Sequence, residues 1–465
     1  MSKEFRDPIH AFIRVSADEL RVLDSVPVQR LREIHQLAMT YMVYPGATHR
    51  RFEHSLGVMH VAGQIFDAVT DPGRLHPGLQ SGLPLHQEDD WKRTSPYWKF
   101  MLRLAALCHD IGHLPFSHGA EVLLPDSEDH EYMTQRLLEG EVMSDVWSSI
   151  QPRPDPRQIA RIATNPDLFK GDPYTIWEDL LNQMIAGKFF GADRIDYLLR
   201  DSYHAGVAYG RFDIHRLIQS LRILPESDEP GSLPVLGIEH GGLRSAEQLL
   251  LARYAVFDQI YFHHTRRSFD LHLREFLKAW VEAEHSGQIP TGEIEYLQIT
   301  DVEIMAAIRR AARKPDSAGH SSAKYIVERR PHRLVWSSLG RQLENRDAVG
   351  ASLTEALEKS MLEELGWKAL TSEQLREKGW CGAVQLDSAR PARPPSWFPV
   401  LMRDGRIRSA DAVSELLTTL PQGGFDFVFV RPEKELTALA IHWVEANRET
   451  YEVLTPGGEG DDGQI

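Results

Sequence analysis

Leu107-Cys108-His109-Asp110-Ile111-Gly112-His113-Leu114-Pro115-Phe116-Ser117-His118 decides how this chain is read. The residues leading into it, Tyr97 to Ile111, are strongly apolar at helical spacing and predict a buried helix. A charged His109-Asp110 pair at the tip of such a helix is costly unless something compensates it. A divalent cation is one such compensation, because imidazole and carboxylate together suit Mn, Fe, Zn or Mg. Two further candidate ligands lie elsewhere, His54 in Arg51-Phe52-Glu53-His54 and Asp193 in Gly191-Ala192-Asp193-Arg194. Alone, His54 reads as a buried, hydrogen-bonded histidine, and a lone His-Asp pair is common. The ordered set of His, His-Asp and Asp, each on a separate predicted helix, favours a metal centre.

Most of the surrounding sequence also reads as helix. Val28 to Ala38, His54 to Val69, Asp179 to Tyr203 and Ser245 to Lys278 carry helical periodicity, and Asp24 and Ser25 are start signals for the first. Asp71 to Pro96, rich in Pro, Gly, His and acids, reads as a surface loop. Leu221 to Glu239 reads as a hairpin or long turn. Phe398 to Ile407 reads as a hairpin turning at Arg403-Asp404-Gly405, and Phe425 to Val430 is a β-like run. The expected fold class is mainly α, with a helical catalytic domain over residues 1–330 and a small mixed α/β lobe over 331–455. The Gly- and Asp-rich residues 456–465 read as a disordered tail.

Composition narrows the function. A formal net charge of −15 disfavours a role in coating DNA or RNA. The 2 cysteines, Cys108 and Cys381, make no disulfide framework and suit a reducing cytoplasm. Met1 to Arg14 lacks a long apolar run, so no signal peptide is expected, and no stretch of about 18 apolar residues predicts a membrane span.

Together, Ala47-Thr48-His49-Arg50-Arg51-Phe52-Glu53-His54-Ser55-Leu56-Gly57 and the Leu107–His118 motif resemble the HD-domain deoxynucleoside triphosphate (dNTP) triphosphohydrolases. The likeness is greatest to the bacterial activator-regulated enzymes and to the animal enzyme that carries a SAM domain, and it runs from about Phe5 to about Thr265. No SAM-like segment is expected here. The resemblance implies a helical HD core and a divalent metal on His54, His109, Asp110 and Asp193. It also implies cleavage of a dNTP into deoxynucleoside and triphosphate.

Other roles carry over residue by residue. Arg51, His113 and His118 match phosphate-contacting positions, and His130-Glu131 matches a pair whose histidine protonates the leaving 5′ oxygen. Arg194, where the family has lysine, and Arg253 match phosphate ligands. Tyr197, Asp201, Tyr261, Gln36 and Leu37 match the sugar pocket, with Leu37 leaving no room for a 2′-hydroxyl. Asp24, Gln29 and Arg32 match a guanine-nucleotide activator site that Val43 and Tyr44 adjoin, which implies GTP or dGTP activation and a homotetramer. Departures occur at Glu121, where the family often has aspartate, and at Phe257, where the animal enzyme has histidine. A third is Arg6, which replaces asparagine.

Three other functions remain open on the residues alone. The metal set equally suits an HD nucleotidase or phosphodiesterase with another nucleotide substrate. The basic cluster of Arg309, Arg310, Arg313, Lys314, Arg329, Arg330, His332 and Arg333 could bind a polyanion, as in a nuclease. A non-enzymatic nucleotide sensor would need the ligand set for no chemistry.

Overall fold

The computed structural model describes residues 2–79, 83–86, 88–117, 124, 129–169, 175–229, 231–338, 346–366, 368, 370–371, 374, 383–389, 397–420 and 425–447. These form two compact units. The first draws on Met1–Val256, Trp280–Ala306 and Pro394–Pro421, and the second on Phe257–Ala279, Ala307–Arg393 and Gln422–Ile465. Helices dominate, as the periodicity predicts. Among the described residues none is long and apolar enough to cross a membrane.

The first unit is built around the helix Arg51–Val69, most of whose side chains are buried. A second helix, Glu88–Cys108, packs along it. The predicted loop Asp71 to Pro96 is therefore shorter than its composition suggests. Trp91, 4% exposed, packs against Phe66 and Trp177 with ring centroids 5.8 and 5.5 Å away. That burial holds the segment helical across Pro96, which cannot donate an intrahelical hydrogen bond.

Other predicted helices are broken where the site needs a change of direction. Val28 to Ala38 is helical only over Val26–Arg30 and a following 3₁₀ turn, Leu31–Glu33. His35 is then captured by the Asp301 carboxylate, which accepts from its backbone N–H at 2.8 Å. Asp179 to Tyr203 divides into Ile176–Ala186 and Ala192–Ala205. A Cβ on Gly191 would lie 2.4 Å from the Ile185 carbonyl oxygen, so the close approach at the break requires glycine. Ser245 to Lys278 is interrupted by a π-type turn at Phe257–Tyr261.

Strands form at each predicted signal, and a hairpin at the N-terminal end and the strands Arg333–Ser337 and Val384–Ala389 were not anticipated. Strands β1 (Lys3–Asp7) and β2 (Ala11–Val15) form an antiparallel pair at the N-terminal end. The predicted hairpin of β3 (Leu221–Pro225) and β4 (Pro234–Glu239) is present. Strand β4 also runs parallel to β7 (Pro399–Leu401), which pairs with β8 (Ile407–Ser409) around the Arg403-Asp404-Gly405 turn.

In the second unit β9 (Phe425–Val430) lies between β5 (Arg333–Ser337) and β6 (Val384–Ala389). All six of its residues are buried, which accounts for its nearly continuous apolar sequence. Successive side chains alternate faces. Phe425, Phe427 and Phe429 join one apolar cluster with Phe262 and Leu271, while Val428 and Val430 join another with Leu353, Leu357 and Met361.

Candidate metal centre

Three separate helices bring His54, His109 and Asp193 together. Their ligand atoms all lie within 4.8 Å of one another. His54 sits one turn into the helix Arg51–Val69, His109 follows the end of Glu88–Cys108, and Asp193 lies in the first turn of Ala192–Ala205. His54 Nε2 is 3.0 Å from Asp193 Oδ1 and 3.8 Å from Asp110 Oδ2. His109 Nε2 is 3.3 Å from Asp110 Oδ1 and 3.7 Å from Asp193 Oδ1. Asp110 thus lies beside this group, and Asp193, its side chain 34% exposed, forms the open side.

The donor chemistry fits a divalent ion. His109 donates Nδ1–H to the Ala106 carbonyl at 2.8 Å, so its Nε2 carries the lone pair, and that buried atom has no hydrogen-bond partner among the described residues. His54 likewise points Nδ1 at Asp196 Oδ2, 2.8 Å away, and turns Nε2 toward the other ligands. Burial opposes a charge on His54, but Asp193 and Asp196 outweigh it and hold its pKa at about 10. Burial also disfavours an ionised Asp193, yet His109 and His54 keep this carboxylate well below its ordinary range. Asp110 behaves in the same way, with Arg51, His109 and His113 overcoming its desolvation. Carboxylates this anionic beside histidines this proton-hungry form a site that a cation can occupy by displacing protons.

Asp196 is the residue the sequence reading missed, although it lies one helical turn beyond Asp193. Its Oδ2 accepts from Arg200 Nε at 2.8 Å and its Oδ1 from Arg200 Nη2 at 2.9 Å, and His10 Nε2 lies 2.7 Å from the same Oδ1. Arg200 also donates to Asp7 at 2.8 Å. The β1–β2 hairpin therefore supplies two residues, Asp7 and His10, to the support of His54. Gly57 makes this packing possible, because a Cβ there would lie 1.9 Å from Asp196 Oδ1.

Around the ligands lies a ring of donors. Arg51 is 4% exposed, ion-paired with Asp110 and bonded through Nε and Nη2 to Ser117 Oγ at 3.0 and 2.7 Å. His113 and His130 stack with centroids 3.9 Å apart. Burial, then Arg51 and His130, hold His113 well below its ordinary pKa, so it is neutral. The stack depends on Gly112, where a Cβ would lie 2.2 Å from the His130 carbonyl oxygen. Phe116 and Ser117 adopt left-handed backbone angles, φ 57° and 55°. The backbone N–H of Phe116 is held by Asp301 at 2.8 Å. Glu131 lines a cavity of about 510 Å³ with Asp179, Gln183 and Phe189, and burial raises its carboxyl pKa.

The remaining expectations are placed as follows. His118 and the departure at Glu121 lie outside the described residues, as does Cys381. Cys108 is buried, its thiol pushed up to about 12 by desolvation. Asp201 is 1% exposed and pairs with His49 at 2.8 Å. His49 is a second residue the sequence reading did not single out. Arg194 donates to the Gly187 carbonyl at 3.1 Å, and Tyr197 is half-buried one turn later. Gln36 has a buried side-chain oxygen without a partner among the described residues, and Leu37 beside it is 8% exposed. Arg253 is half-buried at the end of Leu243–Val256. Tyr261 belongs to the second unit, where it packs with Phe257 against the phenylalanine cluster.

Of the activator residues, Asp24 caps the C-terminus of the helix Ala17–Leu23. Gln29 accepts from Arg32 Nε at 2.8 Å, and the Arg32 guanidinium lies 3.5 Å over the Phe52 ring. Val43 and Tyr44 are half-buried. In the basic cluster His332 departs from expectation, for it is buried at 4% exposure.

The HD domain model matches residues 51–163, covering the second motif and the end of the first, and the HD associated region matches 212–368. A crystal structure of a hypothetical protein from Aquifex aeolicus superposes with a TM-score of 0.72 at 30% identity, over 95% of this chain and 99% of that one. This chain belongs to the HD-domain phosphohydrolases. HD domains bind divalent metals, in keeping with the His/Asp group described above. Among curated HD relatives, the uncharacterized protein YwfO of Bacillus subtilis is 31% identical over 292 residues, which are 62% of this chain and 58% of YwfO. The deoxynucleoside triphosphate triphosphohydrolase SAMHD1 of Bos taurus is 32% identical over 245 residues, which are 48% of this chain and 38% of SAMHD1. The chain thus spans about half the length of these curated relatives.

Proposed function

We propose that this HD protein is a metal-dependent dNTP triphosphohydrolase, releasing deoxynucleoside and inorganic triphosphate. The observation that carries the reading is the set of phosphate-type donors, Arg51, His113 and His130, beside the group of His54, His109, Asp110 and Asp193. Similarity to SAMHD1 over half of the chain supports the same substrate class.

A divalent ion held by these four residues would supply Lewis-acid polarisation of a phosphoryl oxygen and would activate water. The protein supplies the rest. Arg51, fixed by Ser117, presents a planar fork suited to phosphate oxygens, and Arg194, Arg253 and His118 extend the cationic set. Neutral His113 donates a hydrogen bond without repelling the metal. His130, stacked on His113, donates its proton to the departing 5′ oxygen, and Glu131 beside it steadies that histidine. Gln36, Tyr197 and Asp201 read the deoxyribose. Leu37 excludes a 2′-hydroxyl, since a buried hydroxyl without a partner is strongly disfavoured.

Activation by GTP or dGTP, with assembly into a homotetramer, belongs to the same proposal. Arg32 donates to the candidate activator residue Gln29 and stacks on Phe52, which lies on the helix that carries Arg51 and His54. A nucleotide drawing on Arg32 would thus act on the helix that bears a metal ligand.

The test is substrate selectivity. With Mn(II), the protein should hydrolyse dATP and leave ATP nearly untouched. Leu37→Gly should narrow the gap, and excess chelator should stop turnover. Equal rates on dATP and ATP would refute the sugar reading.

A further inference from the structure

The second unit holds another cluster of metal-ligating side chains. His272 and Glu275 lie one turn apart on the helix His264–His285, and His332 immediately precedes β5. Their ligand atoms also lie within 4.8 Å of one another. His272 is fully buried, and His332 is 4% exposed. The two rings face each other with centroids 4.0 Å apart and an interplanar angle of 31°.

Each side chain is left with coordinating capacity. His272 Nε2 lies 3.1 Å from the Arg330 carbonyl, which can only accept, so Nε2 carries the proton and Nδ1 the lone pair. That Nδ1 is buried without a hydrogen-bond partner among the described residues, as are both ring nitrogens of His332. A hydrogen bond from the backbone N–H of His332 to Ser268 Oγ, at 2.5 Å, anchors the residue. Glu275 accepts from Ser322 at 2.6 Å and from Gln385 at 2.5 Å, one bond on each oxygen, and each oxygen keeps a further acceptor site. Such second-sphere bonds orient a metal-binding carboxylate. Burial holds His272 down at about 4 and His332 well below its ordinary value, so both imidazoles are neutral and fit to coordinate. Arg431 Nη2, 4.0 Å from Glu275 Oε1, is the nearest competing cation for the carboxylate.

We propose that His272, Glu275 and His332 form a second divalent-metal site, of the two-histidine, one-carboxylate type that suits Zn(II). It would fasten the helix His264–His285 to the segment entering β5, inside the second unit. The site shares no residue with the first centre and does not depend on the activity proposed for it.

The experiment uses the full chain carrying His109→Ala and Asp110→Ala, which removes the first centre. The protein is stripped with chelator, reloaded with Zn(II), desalted and analysed for zinc per chain. One equivalent should remain, and Co(II) loading should give visible d–d absorption. Adding His332→Ala should abolish both. Glu275→Gln, whose amide oxygen can still accept from Gln385 while its NH2 donates to the Ser322 hydroxyl, should weaken zinc binding by at least about tenfold, and it decides the matter if His332→Ala does not fold. A folded double variant that retains no zinc overturns the proposal. So does retained zinc that is indifferent to both added substitutions.

Discussion

His54 gives its Nδ1 proton to Asp196 across 2.8 Å, and the same carboxylate is clamped by Arg200. This arrangement fixes the tautomer of a candidate metal ligand from behind. Losing such a partner lowers metal affinity about 10–100-fold in other metal sites. Asp196→Asn should therefore weaken Mn(II) binding by that order in a calorimetric titration, although Asp196 touches no metal. Unchanged affinity would mean that His54 needs no such support.

The protonation of His54 makes metal binding depend on pH. Without metal its pKa stands near 10, because Asp193 and Asp196 outweigh the burial that opposes its charge. At pH 7 His54 is therefore protonated, and an arriving cation must displace that proton. Affinity should keep rising from pH 7 to pH 9, with proton release measurable by titration in buffers of different ionisation enthalpy. A plateau beginning near pH 6.5, where an ordinary histidine titrates, would contradict this.

Gly57 should tolerate no side chain. A Cβ would meet Asp196 Oδ1 at 1.9 Å and Arg200 Nη2 at 2.5 Å, forcing apart a buried ion pair. Breaking such a pair costs about 3–5 kcal/mol. Gly57→Ala should lower the denaturant midpoint accordingly, and a midpoint equal to that of the parent would show that the helix can shift to make room.

Acid should unfold the protein partly through Asp196. Its native pKa lies well below the ordinary value, since Arg200, His10 and His54 overcome its desolvation. A depressed native pKa gives stability that is complete above the unfolded value, about pH 4, and is lost as pH falls toward the native value. Between about pH 4 and pH 2 the thermal midpoint of the parent should fall more steeply than that of Asp196→Asn. Parallel slopes would assign acid sensitivity to other groups.

The candidate ligand set was legible in the sequence because its residue types and order are themselves the chemistry. His54, His109, Asp110 and Asp193 needed only helices to carry them. Asp196 was within reach too, one turn from Asp193 on a helix already recognised. Asp301 was not, for it anchors His35 from 266 residues away and no local pattern announces that. The hairpins β3–β4 and β7–β8 could be read from turn residues, but the parallel pairing of β4 with β7 could not, because only register in space reveals it. The helix breaks at Gly187–Gly191 and at Phe257–Tyr261 were hidden by continuous apolar periodicity. Close backbone approach decides the first of them, and apolar periodicity does not record it.

Product identity tests the central claim most directly. The protein, loaded with Mn(II), is incubated with a single dNTP and with mixtures containing GTP, and the products are separated by ion-exchange chromatography. The account predicts deoxynucleoside and inorganic triphosphate in equal amounts, lost in His109→Ala and strongly reduced in His130→Ala. Deoxynucleoside monophosphate with pyrophosphate, or diphosphate with phosphate, would contradict it and point to another HD-family nucleotide hydrolase.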